Sequence, residues 1–339
     1  MPQHAAVSEA VSQTPRRSKG FVNALLRSFC RGGKKIPLPE RDGDPHRALS
    51  VLYSVPVATA KAFCEIFGVE RAESVLAAFA KHPPVAVRVN TERLTREEFL
   101  ARVPGATPTR HAPFGAVLGE GTALQPLLAE GLCFVQDEAS QIAVAALDAA
   151  PDMRVLDLCA APGSKSFGAA LTMQNKGEVK SFDLHENKIS LIQKGATTLG
   201  LSIISADAAD ARDADPAVLG FFDRVICDVP CSGFGVLAKK PDIRYKNIEE
   251  AKGLLPVQAA ILRAAARCVT DGGLLLYSTC TLLPAENEAQ VTAFLAKHED
   301  FVAEPFSVGG ISADTGMLTL LPDEHGTDGF FIARLRKKG

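Results

Sequence analysis

The residues best suited to covalent chemistry in this chain are Cys231 and Cys280. Cys231 falls in FDRVICDVPCSGFG, three residues after Asp228, and Cys280 falls in LLLYSTCTLLPAENE. Each follows an apolar, β-rich run that reads as a strand. Two thiols delivered to one cleft by neighbouring strands point to nucleophilic catalysis, because a thiolate is a strong nucleophile. A second constellation precedes them. In VLDLCAAPGSKS an apolar strand is followed by Cys159, Ala160, Ala161, Pro162 and Gly163, with Ser164 and Lys165 opening a helix. Small residues there let a ligand approach the backbone, and the free N–H groups of a helix start favour an anionic or carboxylate group. The string is neither GxGxxG nor GxxxxGK[ST], so NAD and ATP are poor matches. Asp183 ends the next strand, where a carboxylate can accept from both hydroxyls of a ribose. Asp207, in SADAAD, follows a third strand and is placed to meet an adenine edge. Together these residues outline a nucleoside-carrying ligand across three adjacent strand ends.

Chemistry at strand ends needs a sheet to hold it. From Asp152 onward, predicted strands at 153–158, 178–183, 201–206, 222–228 and 273–279 alternate with predicted helices near 164–174, 185–199 and 247–269. That alternation predicts an α/β fold, a parallel sheet with helices on both faces and ligands at the carboxyl ends of its strands. Upstream, residues 46–81 show helical periodicity, with Leu49, Leu52, Phe63, Ile66 and Phe67 as expected core. A strand in VAVRVNT, a capped helix in ERLTREEFLARV, a strand in GLCFVQ and a helix over 137–148 predict a small α+β module. Its alternation turns Val85, Val87 and Val89 to one face and leaves Arg88 and Asn90 on another that meets ligand or water. Ala5–Arg31 reads as a helix broken near Thr14-Pro15, whose apolar positions Phe21, Val22, Leu25, Leu26 and Phe29 need a partner. Gly32–Pro45 reads as a linker.

Composition narrows the class. A length of 339 residues predicts two domains, or one with an appendage, and 47% hydrophobic with 22% charged residues excludes disorder and collagen-like structure. No run approaches the ~18 apolar residues of a membrane span. Glu9 interrupts what would be a signal peptide, so a cytoplasmic protein with no membrane partner is expected. The cysteines are sparse and lack CxxC pairs, which predicts free thiols, with Cys30, Cys64, Cys133, Cys227 and Cys268 as small buried hydrophobes. The seven histidines are scattered, and no metal site is expected. Net charge is −2, yet residues 1–50 carry nine Lys/Arg against four acids, so the front of the chain is suited to phosphates. Lys239, Lys240, Arg244 and Lys246 form a second basic cluster that either meets phosphates or lies in a solvated loop.

DLCAAPGSK, DVPCSG, KKPDIRY and YSTCTLLPAENE, in that order, resemble the RsmB/Nop/NSUN family of RNA 5-methylcytosine methyltransferases, and the resemblance runs from about Gly20 to the closing DGFFIARL. It implies a Rossmann-like class I methyltransferase sheet over 137–339, with S-adenosylmethionine as cofactor. Carbon 5 of cytosine is a poor nucleophile, so a thiolate must first add to carbon 6. The resemblance implies Cys280 as that nucleophile, Cys231 as the group promoting breakdown of the adduct, and Asp228 as the partner of the cytosine amino edge and ring nitrogen. It assigns Cys159, Ala160, Ala161, Pro162, Gly163, Ser164 and Lys165 to the methionine part of the cofactor, Asp183 to the ribose, Asp207 to the adenine side and Asp228 also to the cofactor end. Ser164 stands where relatives commonly carry Gly, and Lys188 where some carry Arg. Residues 1–38 resemble the last helices of a NusB-like RNA-binding domain whose earlier helices precede Met1, and 39–136 form the small module between. A monomer methylating a cytosine of 16S ribosomal RNA is expected. The same reaction on transfer RNA, or an inactive RNA-binding or ribosome-assembly protein, are the alternatives, and a DNA cytosine methyltransferase fits less well because Cys280 supplements the Pro-Cys loop.

Overall fold

The computed structural model describes residues 2–33, 38–39 and 43–339, so Lys34, Lys35, Arg41 and part of the expected linker lie outside the described residues. Helices α1 (Gln3–Ser12) and α2 (Lys19–Arg31) part at Thr14-Pro15 and bury no residue fully. Phe21 stays 72% exposed and Leu25 56%. Asp44 caps α3 (Pro45–Tyr53), which packs with α4 (Val57–Phe67) and α5 (Val69–Phe79) around Leu49, Phe63, Leu76 and Phe79. Leu52, expected in that core, sits on the last turn of α3 and is exposed. The same cluster continues into Phe234, Leu237, Ile243 and Leu282, so these helices buttress the loops that follow Cys231 and Cys280.

Next comes a four-stranded antiparallel sheet. Its elements are β1 (Ala86–Val89), α6 (Arg96–Arg102), β2 (Thr107–Pro108), β3 (Gly115–Val117), α7 (Leu124–Ala129) and β4 (Cys133–Val135), in strand order β2-β3-β1-β4. A capping box between Thr95 and Glu98 starts α6 later than the periodicity suggested. Val87 and Val89 are buried while Val85 lies exposed just before the strand. Arg88 and Asn90 are instead both buried, against residues from further along the chain. Arg88 donates to Thr172 Oγ1 at 2.9 Å and lies over the Phe114 ring. Asn90 Nδ2 donates to the Gly131 and Leu199 carbonyls at 2.8 and 2.9 Å.

The large sheet follows: α8 (Glu138–Ala146), β5 (Arg154–Asp157), α9 (Ser164–Thr172), β6 (Glu178–Asp183), α10 (Glu186–Leu199), β7 (Ile204–Ala208), α11 (Pro216–Leu219), β8 (Phe222–Asp228), α12 (Leu255–Arg267), β9 (Val269–Thr279), α13 (Glu288–Leu295), β10 (Phe301–Ala303), the hairpin β11 (Phe306–Val308) with β12 (Ile311–Ala313), β13 (Met317–Leu320), α14 (Pro322–His325) and β14 (Phe330–Lys337). Strand order is β10-β14-β9-β8-β5-β6-β7, with β13 on β14. Strands β5 to β9 are parallel as predicted, whereas β14 runs antiparallel to β9, so the sheet is mixed. One apolar layer packs α8, α9 and α10 on one face and a second packs α12 and α13 on the other. Chain order reverses between β5 and β8, the switch point where such sheets open a crevice. Among the described residues no single helix is long and apolar enough to cross a membrane.

Candidate active site

The loop after β5 turns at Gly163, whose φ of 110° favours glycine and where a Cβ would stand 2.3 Å from the Phe167 ring. The turn starts α9 at the switch point, with no side chain among the described residues capping its first N–H groups. Gln136 Nε2 holds the loop by donating to Ser164 O at 3.0 Å. Cys159 is half-buried, and burial, then the charges of Asp157 and Asp228, push its thiol well above the usual range. Asp183 ends β6 with one oxygen accepting from Ala161 N at 3.3 Å and the other from His185 N at 3.1 Å. Lys188 Nζ stands 3.6 Å from Asp183.

Beyond Asp183 lies a cavity of about 320 Å³, lined by the apolar Leu158, Phe182, Ala214, Val218 and Leu219 together with Asp210, Asp213 and Asp215. Asp207 does not reach it. Strand β7 runs over Ile204–Ala208 rather than 201–206, so Asp207 lies within the strand and is exposed, and the acid after its end is Asp210. SADAAD holds two acids three residues apart, and the strand boundary decides which one faces the crevice.

Parallel pairing of Asp228 with Ser278 aligns the ends of β8 and β9, and the two cysteines emerge side by side with their sulfurs 3.3 Å apart. The thiol hydrogen bond from Cys231 draws Cys280 below the usual thiol range against burial, and the same contact holds Cys231 well above it. Asp228 accepts from Lys165 Nζ at 2.7 Å and from Ser278 Oγ at 2.6 Å. Burial alone would lower Lys165, but its contact with Asp228 outweighs burial and keeps the ammonium charged. Gly235 N donates to Cys280 O at 2.9 Å, an approach that needs glycine, since a Cβ there would lie 1.9 Å from Gly329 O.

The second basic cluster divides. Arg244 donates to the Tyr53 and Phe79 carbonyls at 2.9 and 2.7 Å, and Lys239 bridges Asp137 and Asp328, so both are engaged within the fold. Lys240 and Lys246 are exposed, and Lys240 lies within electrostatic reach of Cys280. Cys64, Cys133, Cys227 and Cys268 are buried as expected, while Cys30, on the weakly packed α2, is only half-buried.

The strand order, the antiparallel β14 and the small-residue loop at the switch point define a Rossmann-like methyltransferase. Residues 144–336 match the family model described as 16S rRNA methyltransferase RsmB/F, and the chain belongs to this family. It is 39% identical to the probable ribosomal RNA small subunit methyltransferase B of Bacillus subtilis, covering all of this chain and 79% of that one. Identity to ribosomal RNA small subunit methyltransferase B of Pseudomonas putida is 33%, over 99% of this chain and 78% of that one. Among solved structures, PH0851 is similar with a TM-score of 0.80 at 28% identity, over 95% of this chain and 74% of that one. NSun6 from Pyrococcus horikoshii with SFG shares the fold at a TM-score of 0.75 and 21% identity, over 85% and 100% of the two chains.

Proposed function

We propose that this chain methylates carbon 5 of a cytosine in 16S ribosomal RNA through a covalent adduct with Cys280. The observation that carries the proposal is the 3.3 Å contact between two sulfurs at adjacent strand ends, beside the Asp228–Lys165 pair. Methylation of a nitrogen needs no thiol adduct and gives no reason for such a pair.

The methyl donor is S-adenosylmethionine, which supplies an electrophilic methyl group when bound. The residues present fit it. The apolar lining of Leu158, Phe182 and Val218 together with Asp210 suits a purine, Asp183 suits a ribose diol, and the loop Cys159–Lys165 suits an amino-acid tail. Asp210 replaces Asp207 in this assignment, and Lys188 reinforces Asp183.

Cys280 adds to carbon 6 as the thiolate, forming a C–S bond and making carbon 5 nucleophilic. Asp228 accepts from the amino edge of the base and, in the protonated adduct, from the ring N–H, and Lys165 holds that carboxylate in place. After methylation the proton on carbon 5 leaves to water and its bonding pair re-forms the ring double bond. The C6–S bond breaks as that double bond forms, its electron pair leaving on the Cys280 sulfur, to which the Cys231 thiol donates a hydrogen bond. Residues 1–38 and 39–136 serve RNA capture ahead of the catalytic domain 137–339, and the protein acts as a monomer in the cytoplasm, where its substrate resides.

Incubation with S-adenosylmethionine and unmodified 16S ribosomal RNA, alongside transfer RNA, followed by mass spectrometry, should give 5-methylcytosine in the ribosomal RNA only. Cys280→Ala should abolish product, and Cys231→Ala should leave protein covalently attached to RNA. Methylation by Cys280→Ala would overturn the mechanism, product on transfer RNA alone would change the substrate, and no product on either would favour an inactive binding protein.

A further inference from the structure

Behind the two cysteines lies a buried polar cluster with no part in the chemistry above. Glu286, in the turn between β9 and α13, is fully buried, and a carboxylate removed from water is costly unless its lone pairs are filled. Its partners are neutral donors. Oε2 accepts from Ser232 N at 2.9 Å and from Gln258 Nε2 at 2.8 Å, and Oε1 accepts from Ser232 Oγ at 2.5 Å. Gln258 Nε2 also donates to Pro230 O at 3.0 Å. The residues on both sides of Cys231 are therefore tied to one carboxylate and one amide. The same cluster reaches the other cysteine, because Ser232 Oγ lies 2.9 Å from Thr281 Oγ1, on the residue after Cys280. The turn that carries Glu286 is anchored on β9 in turn, as Tyr277 OH donates to Glu286 O at 2.6 Å and Asn287 Nδ2 to Thr281 O at 2.9 Å.

We propose that Glu286, with Gln258, is a positioning residue that fixes the Cys231 loop against Cys280 and so governs resolution of the protein–RNA adduct rather than methyl transfer. The role presupposes the cysteine chemistry proposed above. Cys280 directly follows Thr279, the last residue of β9, which is paired with Phe331 of β14, so its backbone stays placed when the Glu286 clamp is lost. Cys231 sits in a loop between β8 and the turns that follow, and its registry with the departing sulfur depends on residues 230 and 232. Misplacement by about 1 Å is enough to cost up to ~100-fold in a step that needs contact.

The test compares wild type with Glu286→Gln and Gln258→Ala on unmodified 16S ribosomal RNA and S-adenosylmethionine, reading single-turnover methyl transfer, steady-state turnover and the protein–RNA band on denaturing gels. Either variant should raise the trapped band and slow turnover by about tenfold or more while leaving single-turnover transfer within about threefold. Gln258→Ala keeps the carboxylate and covers the case in which Glu286→Gln does not fold. Cys231→Ala, run in parallel, must trap adduct and Cys280→Ala must not. If that pair fails, the cysteine assignment itself is wrong. If it succeeds while both clamp variants behave as wild type, or lose transfer and adduct together, the positioning role is overturned.

Discussion

At the scale of single residues, Asp157 is an acid whose environment opposes its charge. It ends β5 fully buried, Ser166 Oγ donates to one oxygen at 2.7 Å, and the other has no partner among the described residues. Burial above all, aided by the nearby Asp228 charge, raises it to about 7. A free Asp titrates near ~3.9, so between these values the folded chain holds a proton the unfolded chain has lost. Stability from this group is therefore fully present below about pH 4 and is lost as pH rises through about 7. Asp157→Asn, which keeps the shape and cannot ionise, should gain on wild type by about 3 kcal/mol between pH 5 and pH 8, each unit of pKa shift being worth about 1.4 kcal/mol. Urea denaturation at the two pH values measures it, and a difference that does not change with pH would place the proton elsewhere. Residue types at strand ends were legible without a structure: Cys231 and Cys280 stand side by side after β8 and β9 near Asp228, and Asp183 ends β6. Asp210 and Glu286 were not. The first depends on where β7 stops, and the second on partners 28 and 54 residues away, which no local pattern encodes.

At the scale of elements, the small antiparallel sheet is secured to the catalytic sheet through the end of one helix. The last carbonyls of α10 lack intrahelical partners, as at any helix terminus. Asn90 and Arg93 supply donors from the neighbouring module, Asn90 to Leu199 O at 2.9 Å and Arg93 Nη2 to Thr198 O at 2.9 Å. Asn90 is fully buried, so Asn90→Ala strands two carbonyls away from water. We expect a loss of about 2–3 kcal/mol, with activity per folded molecule retained, because stranded buried acceptors cost ~1–3 kcal/mol apiece and relax in part. Chemical denaturation reads the first quantity and titration of active sites the second. A loss below about 0.5 kcal/mol would show that the amide ties are not what holds the modules together. The exposed expectation for Asn90 and Arg88 failed for this reason: alternation along a strand reports two faces and is silent about a domain arriving on the second. Strands β6 and β8 were legible because their apolar runs are bounded by turn residues. By contrast β2, β3 and β10 to β13 span only two to four residues each, too short for a period to emerge.

For the whole molecule, charge is segregated along the chain. Arg16, Arg17, Lys19, Arg27 and Arg31 lie on or between α1 and α2, ahead of a body that is net acidic. The helices carrying them bury no residue, so this arm adds little to the stability of the body while presenting a cationic surface at its front. The sequence foresaw the break at Thr14-Pro15 and the need of Phe21 and Leu25 for a partner, and both remain exposed because the arm meets no deep core. Attraction of such an arm to RNA is counterion release, which makes it salt-dependent and additive over contacts. Replacing Arg16, Arg17 and Lys19 with Glu should weaken binding to 16S ribosomal RNA and flatten the log–log dependence of affinity on salt. The expected change is about 0.7 per lost contact to single strands and about 0.9 to duplex, so roughly 2 to 3 in all. Melting temperature and S-adenosylmethionine affinity should not move, because neither the core nor the crevice touches these residues. An unchanged salt slope would remove the arm from the RNA interface and turn attention to exposed cations nearer the site, such as Lys240, which lies within electrostatic reach of Cys280. A lowered melting temperature would instead mean that the arm is docked on the body in solution, with its apolar face covered rather than free.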